Sequence, residues 1–194
     1  MHRQCRKDTG RSGIALSRLL PLLVLSIFIN YIDRANLSIA APQLREEFGL
    51  SSSQLGVLLS SFFWTYAMFQ IVSGWLVDRF DVKWVIAVGF FIWSTATAVT
   101  GVIHGFAALL VVRLILGIGE SVAYPSYSKI LARHLSEGQR GFANSVIIAG
   151  YNCGLALGMF MGGMLMARFG WRSVFILFGL LSFVWLFPWL RWMP

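Results

Sequence analysis

The stretch Asn30-Tyr31-Ile32-Asp33-Arg34-Ala35-Asn36-Leu37-Ser38 decides the reading of this chain. It lies inside an otherwise apolar run from Leu19 to Ala41, long enough to cross a bilayer. An aspartate beside an arginine is costly in hydrocarbon. Such residues normally face a bundle interior or a water-filled cavity, where they pair or bind something. The expectation is the charged lining of a transport pathway.

Composition agrees with that expectation. Of 194 residues, 57% are hydrophobic and only 12% charged, with mean hydropathy +0.71. A soluble domain carries about 25% charged residues, so the chain reads as an all-α integral membrane protein with the lipid bilayer as its surroundings. The 16 Lys and Arg outnumber the 8 acids. In a soluble protein that surplus would point to nucleic acid; here no basic face exists outside the loops, and no nucleic-acid partner is expected. Cys5 and Cys153 lie in a basic tail and an apolar segment, placements that suggest neither a disulfide nor a metal site. His2, His104 and His134 are far apart along the chain. With no Ser/His/Asp cluster, metal-ligand spacing or phosphate loop, an enzyme is not expected, nor is a metal or cofactor.

The N-terminus has a basic stretch followed by an apolar one, the order of a secretory signal, and Ile39-Ala40-Ala41 offers a cleavage site. The apolar run is too long for a signal, and cleavage would discard Asp33 and Arg34. We read an uncleaved first helix after a basic tail, residues 1–18. Hydropathy then gives six spans in residues 19–194, at roughly 19–41, 55–77, 84–104, 107–129, 143–166 and 172–191.

Positive charge orients them. With the N-terminus in the cytoplasm, the cytoplasmic segments hold eleven cations: Arg3, Arg6, Lys7, Arg11, Arg18, Arg79, Lys83, Lys129, Arg133, Arg140 and Arg191. The outer loops hold three, Arg45, Arg168 and Arg172; Arg34 and Arg113 lie within spans. Trp75, Trp84, Trp189 and Trp192 are then expected near the inner interface.

An internal repeat is visible. Gly74-Trp-Leu76-Val-Asp-Arg79-Phe80-Asp-Val-Lys83-Trp-Val85 matches Gly163-Met-Leu165-Met-Ala-Arg168-Phe169-Gly-Trp-Arg172-Ser-Val174 at six positions, counting Lys83 with Arg172 by charge. One segment joins spans two and three, the other five and six. A three-helix unit repeated once returns upside down, so the fold expected is two inverted three-helix repeats, a hallmark of secondary transporters.

Asp33 and Arg34 in span one and Arg113 and Glu120 in span four are the charges well inside spans, and they sum to zero. At about 1.5 Å per residue, Asp33 lies roughly 20 Å up from the cytoplasmic end and Arg113 about 9 Å down from the outer one. In a hydrocarbon core of about 30 Å these are nearly level, which suggests an Asp33–Arg113 ion pair. Glu120, two turns past Arg113, has no obvious fixed cation. Carboxylates in low dielectric take up protons more readily than in water, which makes Asp33 and Glu120 candidates for proton coupling. Arg34 is left to offer its planar fork to a substrate carboxylate. Tyr31, Tyr66, Gln70 and Asn152 are polar neighbours that complete a pocket or join helices. Gly150, Gly154, Gly158 and Gly162 form a packing stripe, and Gly117, Gly119 and Pro125 loosen span four around Glu120.

The segment Gly74 to Lys83 resembles the loop signature of the major facilitator superfamily between its second and third helices, with Asp81 and Val82 departing from the usual form. Arg113-Leu-Ile-Leu-Gly117-Ile-Gly119-Glu120, with Pro125 following, is similar to the fourth-helix signature of its anion:cation symporter branch. Residues 30–37 resemble the branch's first helix, and Gly170-Trp171-Arg172 with Phe175 its fifth-to-sixth segment. The resemblance implies an alternating-access symporter for organic anions such as sugar acids, driven by protons in bacteria, in the bacterial inner membrane. It implies proton coupling through Asp33 and Glu120, with Arg113 modulating Asp33. Arg34 would grip the substrate carboxylate beside Tyr31 and Tyr66. Gly74, Asp78, Arg79 and Lys83 would form a cytoplasmic latch against a second half. Gly158-Met159, where an antiporter has Gly-Pro, disfavours antiport. The superfamily has twelve helices; the chain is expected to be the N-terminal half, needing a C-terminal six-helix half for transport. The alternatives are an organic-anion or phosphate-ester exchanger and a non-transporting membrane partner.

Overall fold

Apolar runs that leave their backbone amides without water fold as helices, and this chain does so nearly throughout. A computed structural model describes the backbone of residues 2–193 and the side chains of residues 19–193. The basic tail expected at 1–18 thus lies outside the described side chains. The helices are α1 (His2–Phe48), α2 (Ser52–Arg79), α3 (Val82–Thr100), α4 (Phe106–Ser121), α5 (Ala123–His134) and α6 (Glu137–Trp192).

Local chemistry sets the boundaries. Gly49, at φ 61, supplies the left-handed residue that ends α1, and the Leu50 N–H closes the turn on the Arg45 carbonyl at 3.0 Å. Ser51 and Gln54 then cap α2 reciprocally. Asp81 caps α3 through the Lys83 N–H at 2.9 Å. Pro125 has no N–H to give and its ring crowds the preceding turn; α4 stops at Ser121 and α5 resumes at Ala123, just past Glu120.

Five helical stretches among the described residues are long and apolar enough to cross a membrane, with Phe106–His134 counted as one. The sequence reading expects six. The difference lies in α6, whose 56 residues would make a rod of about 84 Å against about 30 Å of hydrocarbon. Gly170 breaks it at φ 77 and ψ 159, a conformation open to glycine. Before the break the chain climbs beside α1 in step: Gly150 faces Val24, Gly154 faces Phe28, Gly158 faces Ile32 and Gly162 faces Asn36. After it the chain descends. The Trp171 N–H reaches Gln43 at 3.2 Å, Ser182 meets Asp33 at 3.4 Å, and the Trp185 indole donates to the Leu22 carbonyl at 2.9 Å. The chain therefore doubles back at Gly170.

The glycine stripe is what lets α6 and α1 approach. A Cβ on Gly154 would stand 2.5 Å from the Phe28 carbonyl oxygen, backbone that has nowhere to go. Gly154→Val is expected to lower stability by about 1–3 kcal/mol or more through this clash, seen as an earlier melting transition of the detergent-solubilised protein. An unchanged transition would mean the helices part freely.

The core is an aromatic stack between α3 and the end of α6. Phe90 stacks on Trp185 at 4.2 Å, Trp185 on Trp189 at 4.9 Å, and the Trp189 indole donates to the Lys83 carbonyl at 3.0 Å. Trp189, expected in the interface belt, is instead fully buried, because its face of α6 turns onto α3; Trp75, Trp84 and Trp192 are exposed. Two cations brace the ends of these helices. Lys83, at the start of α3, donates to the Met193 carbonyl at 2.6 Å. Arg172, just past the Gly170 break, donates to the Gly101 and Ile103 carbonyls at 3.1 and 2.8 Å and pairs with Glu47 at 2.7 Å.

Candidate functional site

Four ionisable side chains of α1 and α4 meet in the interior, but not as the sequence pairs them. The ion pair is Arg34–Glu120, with Nε donating to Oε2 at 2.7 Å. Glu120 is fully buried and Arg34 nearly so. Glu120 therefore has a fixed cation, and Arg34 is not left over. Asp33 and Arg113 are both buried and form no ion pair with each other among the described residues. The sequence pairs them by depth along the axis, and depth says nothing of direction. Adjacent residues on a helix point about 100° apart, so Asp33 turns to Ser182 of α6, whose hydroxyl donates to Oδ2 at 3.4 Å, while Arg34 turns to α4.

Aromatic rings surround Arg34. Its guanidinium carbon lies 4.8 Å from the Tyr31 ring centre, 4.8 Å from that of Phe62 and 4.7 Å from that of Tyr66. Cation–π attraction to these rings steadies a charge that is largely withdrawn from water. The Phe62 ring also lies 5.2 Å from the Arg113 guanidinium, so one ring serves both arginines. Three buried polar atoms of these four side chains have no partner among the described residues: Oδ1 of Asp33, Nε of Arg113 and Oε1 of Glu120. Such atoms are costly, and they mark where a proton, a water molecule or a ligand atom gains most by binding.

All five tyrosines of the chain take part. The Tyr31 hydroxyl meets that of Tyr124 at 3.2 Å and accepts from Arg34 at 3.4 Å; its ring packs on Tyr151 at 4.1 Å. Tyr66 stacks on Phe62 at 5.3 Å. Tyr127, one turn past Tyr124, shares a 2.6 Å hydrogen bond with Ser26 of α1. Tyr31 and Tyr66 are where the sequence expects them. Asn152 is not: it is exposed, and its amide donates to the Ile148 carbonyl of its own helix at 2.9 Å. Its neighbour Tyr151 faces the cluster instead. The signal for Tyr124 and Tyr127 is in the sequence, four and seven residues past Glu120 on the same helix face.

The residues that the sequence reading expects to form a latch lie at the opposite end of the bundle from Glu47 and Arg172. Asp78 is exposed and 3.4 Å from Lys129, which also donates to the Val77 carbonyl. Gly74 is half-buried and Arg79 exposed, and Lys83 is spent on Met193. Among the described residues no group of His, Cys, Asp and Glu has a metal-binding arrangement.

Comparison with known proteins adds a family and a fold. The family model described as Major Facilitator Superfamily matches residues 23–194. The chain is 40% identical over 167 residues to a probable sulfoacetate transporter, SauU, of Cupriavidus necator, covering 86% of this chain and 39% of that protein. It is 36% identical over 176 residues to an ascorbate transporter of Arabidopsis thaliana chloroplasts, covering 88% and 32%. It is 34% identical over 175 residues to a probable galactarate/D-glucarate transporter, GudP, of Bacillus subtilis, covering 85% and 38%. The chain thus spans less than half the length of these relatives. Among solved structures, a bacterial homologue of the human lysosomal transporter Spinster, inward-facing and unoccupied, superposes with a TM-score of 0.85 at 24% identity, over 93% of this chain and 43% of that one.

Proposed function

The chain belongs to the major facilitator superfamily, a multi-pass membrane fold, and from that premise we propose that it is the N-terminal half of a proton-coupled importer of an organic anion, a sugar acid first among the candidates. The observation that carries this reading is the Arg34–Glu120 pair in the interior, enclosed by the rings of Tyr31, Phe62 and Tyr66. Two buried charges that neutralise each other form a switch. A proton on Glu120 removes the negative partner and leaves the Arg34 fork charged, desolvated and costly; a substrate carboxylate restores the pairing. Proton and anion then favour each other's binding, and by linkage the effect is mutual. Asp33, buried with one free oxygen, is the second proton site, and Arg113 moderates both through the field it casts on the cluster. The tyrosine hydroxyls serve the polar body of the substrate.

In this reading the chain makes six spans as two inverted three-helix repeats. The helix contacts support it. Pairing α1 with α4–α5, α2 with residues 137–169, and α3 with 171–192, the packing of α1 on the first part of α6 corresponds to that of α4 on α2. The Lys83 and Arg172 braces occupy matched repeat positions, each binding the terminal carbonyls of the other's helix. The N-terminus is cytoplasmic, the membrane is a bacterial inner membrane, and Gly74, Asp78, Arg79 and Lys83 form the cytoplasmic latch against a C-terminal half needed for transport. The relatives named for sulfoacetate, ascorbate and glucarate support an anionic substrate.

The test is uptake by the full-length transporter in proteoliposomes. Labelled glucarate, galactonate and glucuronate are supplied with an inward proton gradient. At least one is expected to accumulate above its outside concentration and to leak back when a protonophore collapses the gradient. Uptake only against a preloaded internal anion, indifferent to the protonophore, would replace symport by exchange.

A further inference from the structure

A cleft at the end of α1 remote from its N-terminus has no part in the reading above. It measures ≈ 680 Å³ and is lined by residues that include Ser38, Pro42, Arg45, Glu46 and Leu55, a size typical of small-molecule sites, about 300–1,000 Å³. Arg34, Ser38, Ala41 and Arg45 recur on α1 at spacings of four, three and four, which puts them on one stripe of the helix. The stripe leads from Arg34 at mid-bundle to Arg45 at the rim, about 16 Å along the axis.

The cations near this end differ in what holds them. Arg172 is saturated by Glu47 and the Gly101 and Ile103 carbonyls. Arg168 lies over the Phe169 ring at 5.5 Å. Arg45 is exposed, and its side chain makes no ion pair or hydrogen bond among the described residues. Its backbone is held by the Gly49 turn, through the Leu50 N–H on its carbonyl at 3.0 Å. A free guanidinium on a fixed stalk thus stands at the mouth of a cleft, in line with the buried arginine below.

We propose that Arg45 is an anion-capture residue, which draws the carboxylate-bearing substrate into this cleft before Arg34 receives it. The inference rests on the reading that Arg34 binds the substrate carboxylate. An exposed charge acts at long range on encounter and is screened by salt, whereas a buried one acts on the bound state. Glu46, in the same cleft, opposes it.

The experiment is uptake kinetics of the full-length transporter at low ionic strength. Arg45→Gln is expected to raise KM for the transported anion by about threefold to tenfold with kcat unchanged. Arg45→Lys should restore the wild-type KM, since capture needs a charge and not a fork. Glu46→Gln should lower KM. At about 1 M salt, where the Debye length is about 3 Å, the three variants and the wild type should coincide. An unchanged KM in Arg45→Gln overturns the proposal, as does a change that salt does not erase. A drop in melting temperature with KM unchanged marks a helix-end or lipid headgroup contact, and overturns it too. Wild-type transport that is lost in Arg34→Ala but keeps its KM in Arg45→Gln sinks this inference alone. Absence of saturable anion uptake by the wild type sinks it together with the proposed function.

Discussion

Arg34→Ala is expected to abolish both uphill uptake and counterflow of organic anions, by more than about a hundredfold. Removing one member of a buried, hydrogen-bonded charge pair costs about 2–5 kcal/mol, and each 1.4 kcal/mol is about tenfold. Here the loss is double. The substrate carboxylate loses the fork proposed to hold it, and Glu120 is left buried at 0% exposure without the cation 2.7 Å away. The three rings around the guanidinium, at 4.7–4.8 Å, lose their common centre. Arg34→Lys keeps a charge but not the planar fork, and should recover only part of the counterflow. The check is exchange of labelled for unlabelled substrate in proteoliposomes without a pH gradient, after a monodisperse elution profile has shown that the variant folds. Counterflow at the wild-type rate would remove Arg34 from the substrate path.

Glu120→Gln is expected to separate the two modes. Glutamine keeps the shape of the protonated acid and cannot release a proton. Arg34 loses its internal counterion permanently, so the variant should bind and exchange substrate as well as the wild type does at low pH. It should fail to accumulate substrate on an inward proton gradient. Under the proposed coupling, wild-type affinity for the anion is expected to rise as pH falls, and in Glu120→Gln that part of the slope is expected to disappear. Normal accumulation by Glu120→Gln would move coupling to Asp33, the other buried carboxylate, whose Oδ1 has no protein partner.

These predictions turn on a pairing that the sequence misassigned. Asp33, Arg34, Arg113 and Glu120 were all legible as intramembrane charges, because hydropathy is a property of the chain itself and a charge inside an apolar run needs no fold to be seen. Their axial depths were legible too, since rise per residue is nearly constant. What was not legible was which face of α1 meets α4. Asp33 and Arg34 differ by one residue, yet one reaches Ser182 of α6 and the other Glu120 of α4. The same uncertainty exchanged Asn152 for Tyr151 and sent Trp189 inward. Rotation of a helix about its axis is decided by what it packs on, and α1 is set by the glycine stripe of α6 pressing on Val24, Phe28, Ile32 and Asn36.

By itself the sequence determined the solvent, the helices, most of their ends and the kind of residue at the centre. Burial of apolar side chains in lipid, capping at Ser51 and Asp81 and the lack of an N–H at Pro125 are local effects that act through a few neighbours along the chain. The tertiary structure decided the partners: Arg34 with Glu120, Arg172 with the end of α3, Lys83 with the end of α6, and the rings of Tyr31, Phe62 and Tyr66 about one guanidinium. Those depend on crossing angles and helix rotation, which are fixed only when every interface in the bundle is satisfied at once.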